Sequence, residues 1–161
     1  MSEIFKGDPV DAEIEYWKRV RQDIGKFDRI IVNNFVQHMT LLVGLITLSA
    51  YLFQGNPNLS FLSSAINGVV VLLTMSFRKQ NSIYQKLIKK NIEVGRDIEK
   101  ILFKPNYGLT EVLAESLSAR EQKHTYTNCY IVIGVVAGIL ALFFLFIYIC
   151  PAFRLLILGY I

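Results

Sequence analysis

Charged residues are missing from two long stretches of this chain. Between Arg29 and Arg78 there is no Asp, Glu, Lys or Arg, and a second charge-free stretch runs from Thr125 to Phe153. A soluble domain of 161 residues needs charged groups to solvate its surface, so these gaps exclude an ordinary soluble protein. A bilayer core about 30 Å thick is crossed by roughly 20 apolar residues per helix, so the first gap has room for two spans and the second for one.

The sequence therefore predicts an all-α integral membrane protein with three transmembrane helices extended into a cytoplasmic helical bundle. The first gap is interrupted once, at residues 54–58, by Gln-Gly-Asn-Pro-Asn, which is typical of a turn. Apolar residues spaced by three and four predict that the helices continue outside the membrane. The expected segments are a cytoplasmic amphipathic helix (1–29), a first span (30–53), an outside turn (54–58), a second span (59–77), its cytoplasmic continuation (78–104), a turn (105–109), a cytoplasmic helix (110–126), a third span (127–150) and a short outside or interfacial tail (151–161).

Lys and Arg are distributed unevenly over these segments. Residues 1–29 hold six of them, residues 78–124 hold ten, and the turn at 54–59 holds none. The positive-inside rule then predicts a cytoplasmic N-terminus, a cytoplasmic 78–124 segment and an outside C-terminus, in the inner (plasma) membrane of the cell. The net charge of +4 requires no nucleic-acid partner, because Lys and Arg next to anionic lipid account for it.

Polar side chains recur along one side of the predicted first span, at steps of four and three. These are Asn33, Gln37, Thr40, Gly44, Thr47 and Tyr51, with Asn34 and His38 beside the first two. Amides are costly in hydrocarbon unless they have partners, so this side is expected to face protein or water rather than lipid.

The other two spans have weaker or different patterns. The second span has polar residues at Ser60, Ser64, Asn67 and Thr74. In the third span Gly134, Gly138 and Ala141 form a small-residue face of the kind that lets helices approach closely.

Three interpretations of these faces stay open. They hold the spans of one subunit together, or they bind another membrane subunit. In the third interpretation, spans one and two line a polar pathway at the centre of a homo-oligomer, while the small face of span three packs between neighbours. His38 is either a gate, proton site or pH switch, or a side chain that hydrogen-bonds Asn34 one turn earlier.

Catalytic and metal-binding patterns are absent from the sequence. His38 and His124 belong to no HxxxH, HExxH or Cys/His cluster, and there is no G-x-x-x-x-G-K-[ST], GxGxxG or GxSxG. Cys129 and Cys150 are separated by about 31 Å of helix rise and cannot form a disulfide within one chain. The sequence predicts no enzyme, no metal site and no cofactor.

Several other residues are given ordinary structural roles. Trp17 is predicted to be a packing anchor of the first cytoplasmic helix. The acidic Glu93, Asp97 and Glu99 are expected on solvated helix faces with i,i+4 pairing. Tyr126 and Tyr130, at one end of span three, are typical of an interfacial aromatic belt.

An amphipathic cytoplasmic helix, a tight two-span hairpin and a long charged cytoplasmic helix follow one another over residues 10–104. This layout resembles small bacterial membrane effectors of antiviral defence, such as the SLATT group. The third span, at 127–150, departs from their two-span pattern. The resemblance implies assembly in the membrane and a change in its permeability when triggered.

The expected function is a non-enzymatic membrane protein that homo-oligomerises as a pore or channel-like effector, with the lipid bilayer and copies of itself as partners. The alternative is a small accessory or scaffold subunit of a larger membrane complex, with other membrane subunits as partners.

Overall fold

The described part of the chain forms three long helices. The computed structural model describes residues 9–102 and 119–150, with side chains described over 11–102 and 125–150. Helix α1 covers Pro9–Gly55, α2 covers Ser60–Leu102 and α3 covers Ala119–Ile149, with a 3-10 turn at Pro57–Leu59 between the first two. The predicted turn at 105–109, the tail at 151–161 and the start of the helix predicted at 110–126 lie outside the described residues.

The all-α prediction is confirmed, because within the described ranges only Asn56 and Cys150 lie outside helices. Three segments are long and apolar enough to cross a membrane by length and composition, namely Asp11–Gly55, Pro57–Leu102 and Thr125–Ile149. The first two predicted spans fall within these segments, and the third, predicted at 127–150, does so except for Cys150.

The connection between α1 and α2 is short because its residues cap the two helix ends. The amide N–H of Asn56 donates to the carbonyl of Leu52 at 3.1 Å and ends α1. The Asn56 side chain then accepts from the backbone N–H of Asn58 at 2.9 Å, and Pro57 supplies the fixed φ that suits the first helical position. The chain therefore reverses direction within a few residues.

Residues cluster into two compact units, and the first comprises residues 1–33 and 81–124. In it α1 and α2 run antiparallel, and the apolar stripe predicted for α1 is buried. Trp17, Val20, Ile24 and Ile31 are buried there, as are Ile88 and Ile98 of α2. The indole Nε1–H of Trp17 donates to Glu99 Oε1 at 3.0 Å, which confirms that Trp17 is a packing anchor.

The prediction for Glu99 is wrong. Its side chain is buried, because it lies on the same side of α2 as Ile88 and Ile98 and accepts the indole hydrogen bond. The neighbouring acidic residues lie on exposed helix faces, as expected. Glu93 pairs with Lys89 at 4.0 Å with the expected i,i+4 spacing, whereas Asp97 pairs with Lys100 at 3.3 Å with a spacing of three residues.

The second unit comprises residues 34–80 and 125–161. Here α1, α2 and α3 pack around a core formed by Leu42, Val70, Tyr130 and Ala137. Phe35 stacks on Tyr126, and Phe53 contacts Phe144 further along both helices. Helix α3 therefore runs parallel to α1 and antiparallel to α2.

Helix α2 buries one side with a strict seven-residue repeat. In the second unit the buried or half-buried positions on this side include Ser60, Ser63, Asn67, Val70, Thr74 and Phe77. In the first unit those on this side include Asn81, Tyr84, Ile88, Asn91, Gly95 and Ile98. A spacing of 3.5 residues is the pattern of left-handed coiled-coil packing.

Candidate functional site

The polar side of α1 is fully exposed along the whole predicted span. We call this set the outer polar face, and it consists of Asn33, Gln37, Thr40, Gly44, Thr47, Tyr51 and Gln54, all exposed. These residues lie about 160° around the helix from the buried positions of α1, given 3.6 residues per turn. From Asn33 to Gln54 the helix rises about 31 Å, close to the thickness of a bilayer core of about 30 Å.

Apolar side chains border the outer polar face on both sides. Val36 and Val43 lie along one edge and are 58% and 54% exposed. Leu41 and Leu48 lie along the other edge. The outer polar face is therefore narrow and has an exposed apolar border on each side, which we call its two apolar shoulders.

The outward sides of the other two helices are different in kind. On α2 the exposed large side chains in the second unit include Phe61, Leu62, Val69, Leu72 and Met75. On α3 they include Ile131, Val132, Val135, Ile139 and Leu142. Both sides suit contact with lipid chains, so the exposed polar stripe is a property of α1.

The hydroxyls of the outer polar face are partly satisfied within α1 itself. Thr40 Oγ1 donates to the carbonyl of Val36 at 3.0 Å, and Thr47 Oγ1 donates to that of Val43 at 2.9 Å. The exposed amides of Asn33 and Gln37 each present two N–H donors and a carbonyl acceptor. They are the most costly groups of the face to leave in hydrocarbon.

His38 belongs to the opposite side of α1, inside the second unit. Its Nδ1 lies 2.9 Å from the hydroxyl oxygen of Tyr130, and its ring stacks on Phe77 with centroids 3.6 Å apart. The expected hydrogen bond to Asn34 is therefore wrong, because the ring is directed toward α2 and α3. The prediction of Tyr130 in an interfacial belt is also wrong, since its side chain is only 2% exposed.

A buried polar cluster joins α1 to α2 nearer the connecting turn. Asn67 Nδ2 donates to Ser49 Oγ and to the carbonyl of Ser63, both at 2.8 Å. Ser63 Oγ donates in turn to the carbonyl of Ser49 at 2.9 Å. Asn67, predicted to face a pathway, is fully buried within the chain and holds the two helices in register.

The small-residue face of α3 packs against α2 of the same chain. A Cβ atom added at Gly134 would lie 3.0 Å from Thr74 Oγ1, and one added at Gly138 would lie 3.9 Å from Val71 Cγ2. Ser64 Oγ donates to the carbonyl of Ala141 at 2.9 Å. The interpretation in which this face packs between neighbouring subunits is not supported, because it is already occupied.

The structure thus divides the predicted site residues into two groups. The outward group on α1 contains Asn33, Gln37, Thr40 and Thr47. The inward group contains His38, Ser64 and Asn67, with Asn34 half-buried at the margin. Sequence reasoning missed the partners Ser49, Ser63, Phe77 and Tyr130. The seven-residue repeat of α2 is the signal that identifies two of them, Ser63 and Phe77.

The contact between His38 and Tyr130 can be measured by a double-mutant cycle. We expect His38→Phe and Tyr130→Phe to be coupled by about 0.5–2 kcal/mol in the free energy of unfolding, because each loses the same hydrogen bond. The measurement is denaturant unfolding in mixed micelles. Thr40→Val is the control, since Thr40 bonds only to its own helix. The loss of unfolding free energy in Thr40→Val should simply add to that in Tyr130→Phe. If the losses in His38→Phe and Tyr130→Phe also added strictly, the hydrogen bond between His38 and Tyr130 would be contradicted.

Among the described residues, no group of three or more His, Cys, Asp or Glu side chains could hold a metal ion. Cys129 and Cys150 are both free thiols. Comparison of the chain with models of known families, with curated proteins and with solved structures gave no match.

Proposed function

We propose that this protein homo-oligomerises in a membrane and that the outer polar faces of several copies enclose a polar path through the bilayer. The protein then acts as a pore or channel-like effector without enzymatic activity. The observation that supports this is the exposure of the outer polar face over a length equal to the bilayer core. Among the residues that the structure describes, no other helix of the same copy contacts the amides of Asn33 and Gln37.

The energetics favour a partner for this face. A polar group left unsatisfied in the hydrocarbon costs several kcal/mol. Copies of the same stripe arranged around an axis would share water along it, which satisfies the amides of Asn33 and Gln37. Within the described residues the stripe is not buried by α2 or α3, because α1 packs on both helices through its opposite side.

The arrangement of apolar shoulders favours a ring over a simple two-fold dimer. Each copy has two different shoulders, one formed by Val36 and Val43 and the other by Leu41 and Leu48. Contact between unlike surfaces is heterologous and closes into a ring when the rotation allows it. With the shoulders in contact, the polar stripe between them faces the axis.

The charge distribution supports an orientation for this assembly. The segments rich in Lys and Arg would lie in the cytoplasm, and the turn at 54–58 and the C-terminus would lie outside the inner (plasma) membrane. The first unit, with its Trp17 anchor, would then be a cytoplasmic helical bundle. A reporter fused at Asn56 should be accessible from outside.

A mass measurement of the detergent-solubilised particle tests the assembly. We expect a defined multimer of this chain alone. A monomer would contradict the proposal. A stoichiometric second protein in the particle would instead support a small scaffold subunit of a larger complex, with the outer polar face binding that partner.

A conductance measurement tests the path itself. Gly44 lies near the middle of the outer polar face, and a Cβ atom added there meets nothing within 4 Å. Gly44→Leu should leave the fold intact but place a ring of leucines in the path, so we expect conductance in vesicles to fall by about an order of magnitude, since hydrophobic constrictions gate by dewetting.

The matched control is Gly68→Leu on α2, which also has nothing within 4 Å of its added Cβ. Because α2 lies behind α1 relative to the outer polar face, this variant should conduct like the original protein. Equal conductance of all three proteins would contradict a path lined by α1. The pair Asn33→Leu and Gln37→Leu provides a second test of the same lining.

A further inference from the structure

We propose that the path prefers small monovalent cations to anions, because hydroxyl oxygens that have no proton left to donate line its central part. These oxygens belong to Thr40 and Thr47. The inference rests on the proposed function and adds to it the class of permeant ion.

Thr40 and Thr47 lie in line with each other on the outer polar face. Seven residues separate them, so they differ by about 20° around the helix axis and by about 10.5 Å along it. Both side chains are exposed, and both residues belong to the second unit. Gly44 lies between them and adds no side-chain donor. In a ring of copies, the two threonines therefore supply two rings of hydroxyls, one on each side of the middle of the path.

The proton of each hydroxyl is used inside α1. Thr40 Oγ1 lies 3.0 Å from the carbonyl oxygen of Val36, and Thr47 Oγ1 lies 2.9 Å from that of Val43. A carbonyl oxygen can only accept, so the hydroxyl donates in both hydrogen bonds. Each threonine oxygen keeps lone pairs that can accept a further bond, but it has no second proton to donate.

Ions of opposite sign meet these oxygens differently. A cation is bound by oxygen lone pairs, and in channels rings of oxygen dipoles replace its hydration shell. An anion needs donors, and it would have to break the two intrahelical hydrogen bonds to obtain them. The cost of a charge is largest at the centre of the bilayer, so the preference acts at the point that limits passage. Uncharged oxygens suit monovalent cations, since Mg²⁺ dehydrates reluctantly and is bound through carboxylates.

The other polar groups of this stretch set no opposing preference. Residues 30–77 contain no Asp, Glu, Lys or Arg. Gln37 and Gln54, nearer the two ends of the face, are exposed amides that each offer donors and an acceptor. They can serve an ion of either sign, so the threonine oxygens decide between cation and anion.

The test is the reversal potential across a planar bilayer of zwitterionic phosphatidylcholine with a KCl gradient. The salt is kept near about 1 M, where a Debye length of about 3 Å screens charges outside the path. We expect potassium to be more permeant than chloride for the original protein. Thr40→Val/Thr47→Val keeps the branched shape but removes both oxygens, so the ratio of potassium to chloride permeability should fall at least about threefold toward unity. Thr40→Val and Thr47→Val, each made alone, leave one hydroxyl ring and should give intermediate ratios.

Two matched variants separate the oxygen from other effects. Thr40→Ser/Thr47→Ser retains both hydroxyls and their intrahelical hydrogen bonds, so it should keep the original ratio. Ser76→Ala removes an exposed hydroxyl from α2, outside the outer polar face, and should also leave the ratio unchanged. Particle mass and helix content, measured in parallel, establish that each variant still assembles.

The outcomes separate the two proposals. Current with a chloride preference, or a ratio that the valine variants leave unchanged, overturns the cation preference and leaves the polar path standing. An equal fall in Thr40→Ser/Thr47→Ser also overturns it, because side-chain shape rather than the oxygens would then set the ratio. If the double valine variant carries no current, the two single valine variants decide in the same way. An original protein that carries no current overturns the path and the cation preference with it.

Discussion

Replacing Trp17 by alanine should lower the free energy of unfolding of the first unit by about 3–5 kcal/mol. The indole is buried between α1 and α2, donates its N–H to the buried carboxylate of Glu99, and carries the guanidinium of Arg21 over its ring at 4.7 Å. Truncation therefore removes apolar packing, a charge-assisted hydrogen bond and a cation–π contact together. Hydrogen exchange should report the loss as faster exchange of amides in α1 before Ile31 and in α2 after Tyr84.

Two further variants separate the contributions of packing and of the hydrogen bond to this loss of stability. Trp17→Phe keeps an aromatic ring but removes the N–H donor, so it should cost a smaller part of the total, about 1–3 kcal/mol for the hydrogen bond to a charged group. Tyr16→Ala changes the neighbouring aromatic, which is 53% exposed, and should cost no more than about 0.5 kcal/mol. If the backbone amides of the first unit exchanged equally slowly in Trp17→Ala and Tyr16→Ala, Trp17 would not be the packing anchor.

Gly134→Leu should disrupt the contact between α2 and α3 in the second unit. A Cβ atom added at this position would lie 3.0 Å from Thr74 Oγ1, and the remaining leucine atoms would enter a contact that has no room for them. Thr74 cannot yield easily, because it is β-branched in a helix and its hydroxyl donates to the carbonyl of Val71 at 2.7 Å. We expect a loss of about 3 kcal/mol or more in unfolding free energy in mixed micelles.

The control lies one turn further along the same face. Gly138→Ala meets its nearest atom at 3.9 Å, which is ordinary contact, so stability should stay unchanged or rise by up to about 1 kcal/mol through helix propensity. Gly134→Ala combined with Thr74→Ala should be more stable than the sum of the two single changes predicts, because the close oxygen is gone. Strict additivity would mean that the two residues do not meet.

The extents of the helices could be read from the sequence because they depend on local signals. The second span and its continuation, predicted at 59–77 and 78–104, form one helix, described over Ser60–Leu102. Pro9 begins α1, and the Gln-Gly-Asn-Pro-Asn segment contains the break between α1 and α2. Charge-free stretches, turn residues and a proline act within a few residues of chain, so no knowledge of packing is needed to use them.

The direction of each polar face could not be read in the same way. The sequence placed Asn33, Gln37 and His38 in one candidate group, yet the first two are exposed and His38 stacks on Phe77. A helix of period 3.6 turns neighbouring residues by about 100°, so a one-residue difference decides whether a side chain points inward or outward. Tyr130 shows the same limit, because a tyrosine near the end of a span suits an interface and a core equally well until its partner is known.

By itself, the sequence determined that the chain is all-helical, that three of its segments are long and apolar enough to cross a membrane, and that one side of the first is polar. Composition and the helical period of 3.6 residues suffice to predict these properties, because each of them belongs to a single helix and does not depend on its neighbours. Only the tertiary structure decided which polar residues are used inside the chain. Asn67, Ser64 and His38 have partners on other helices. Over the described ranges the outer polar face has none, since α1 packs on α2 and α3 through one side and leaves the opposite side exposed.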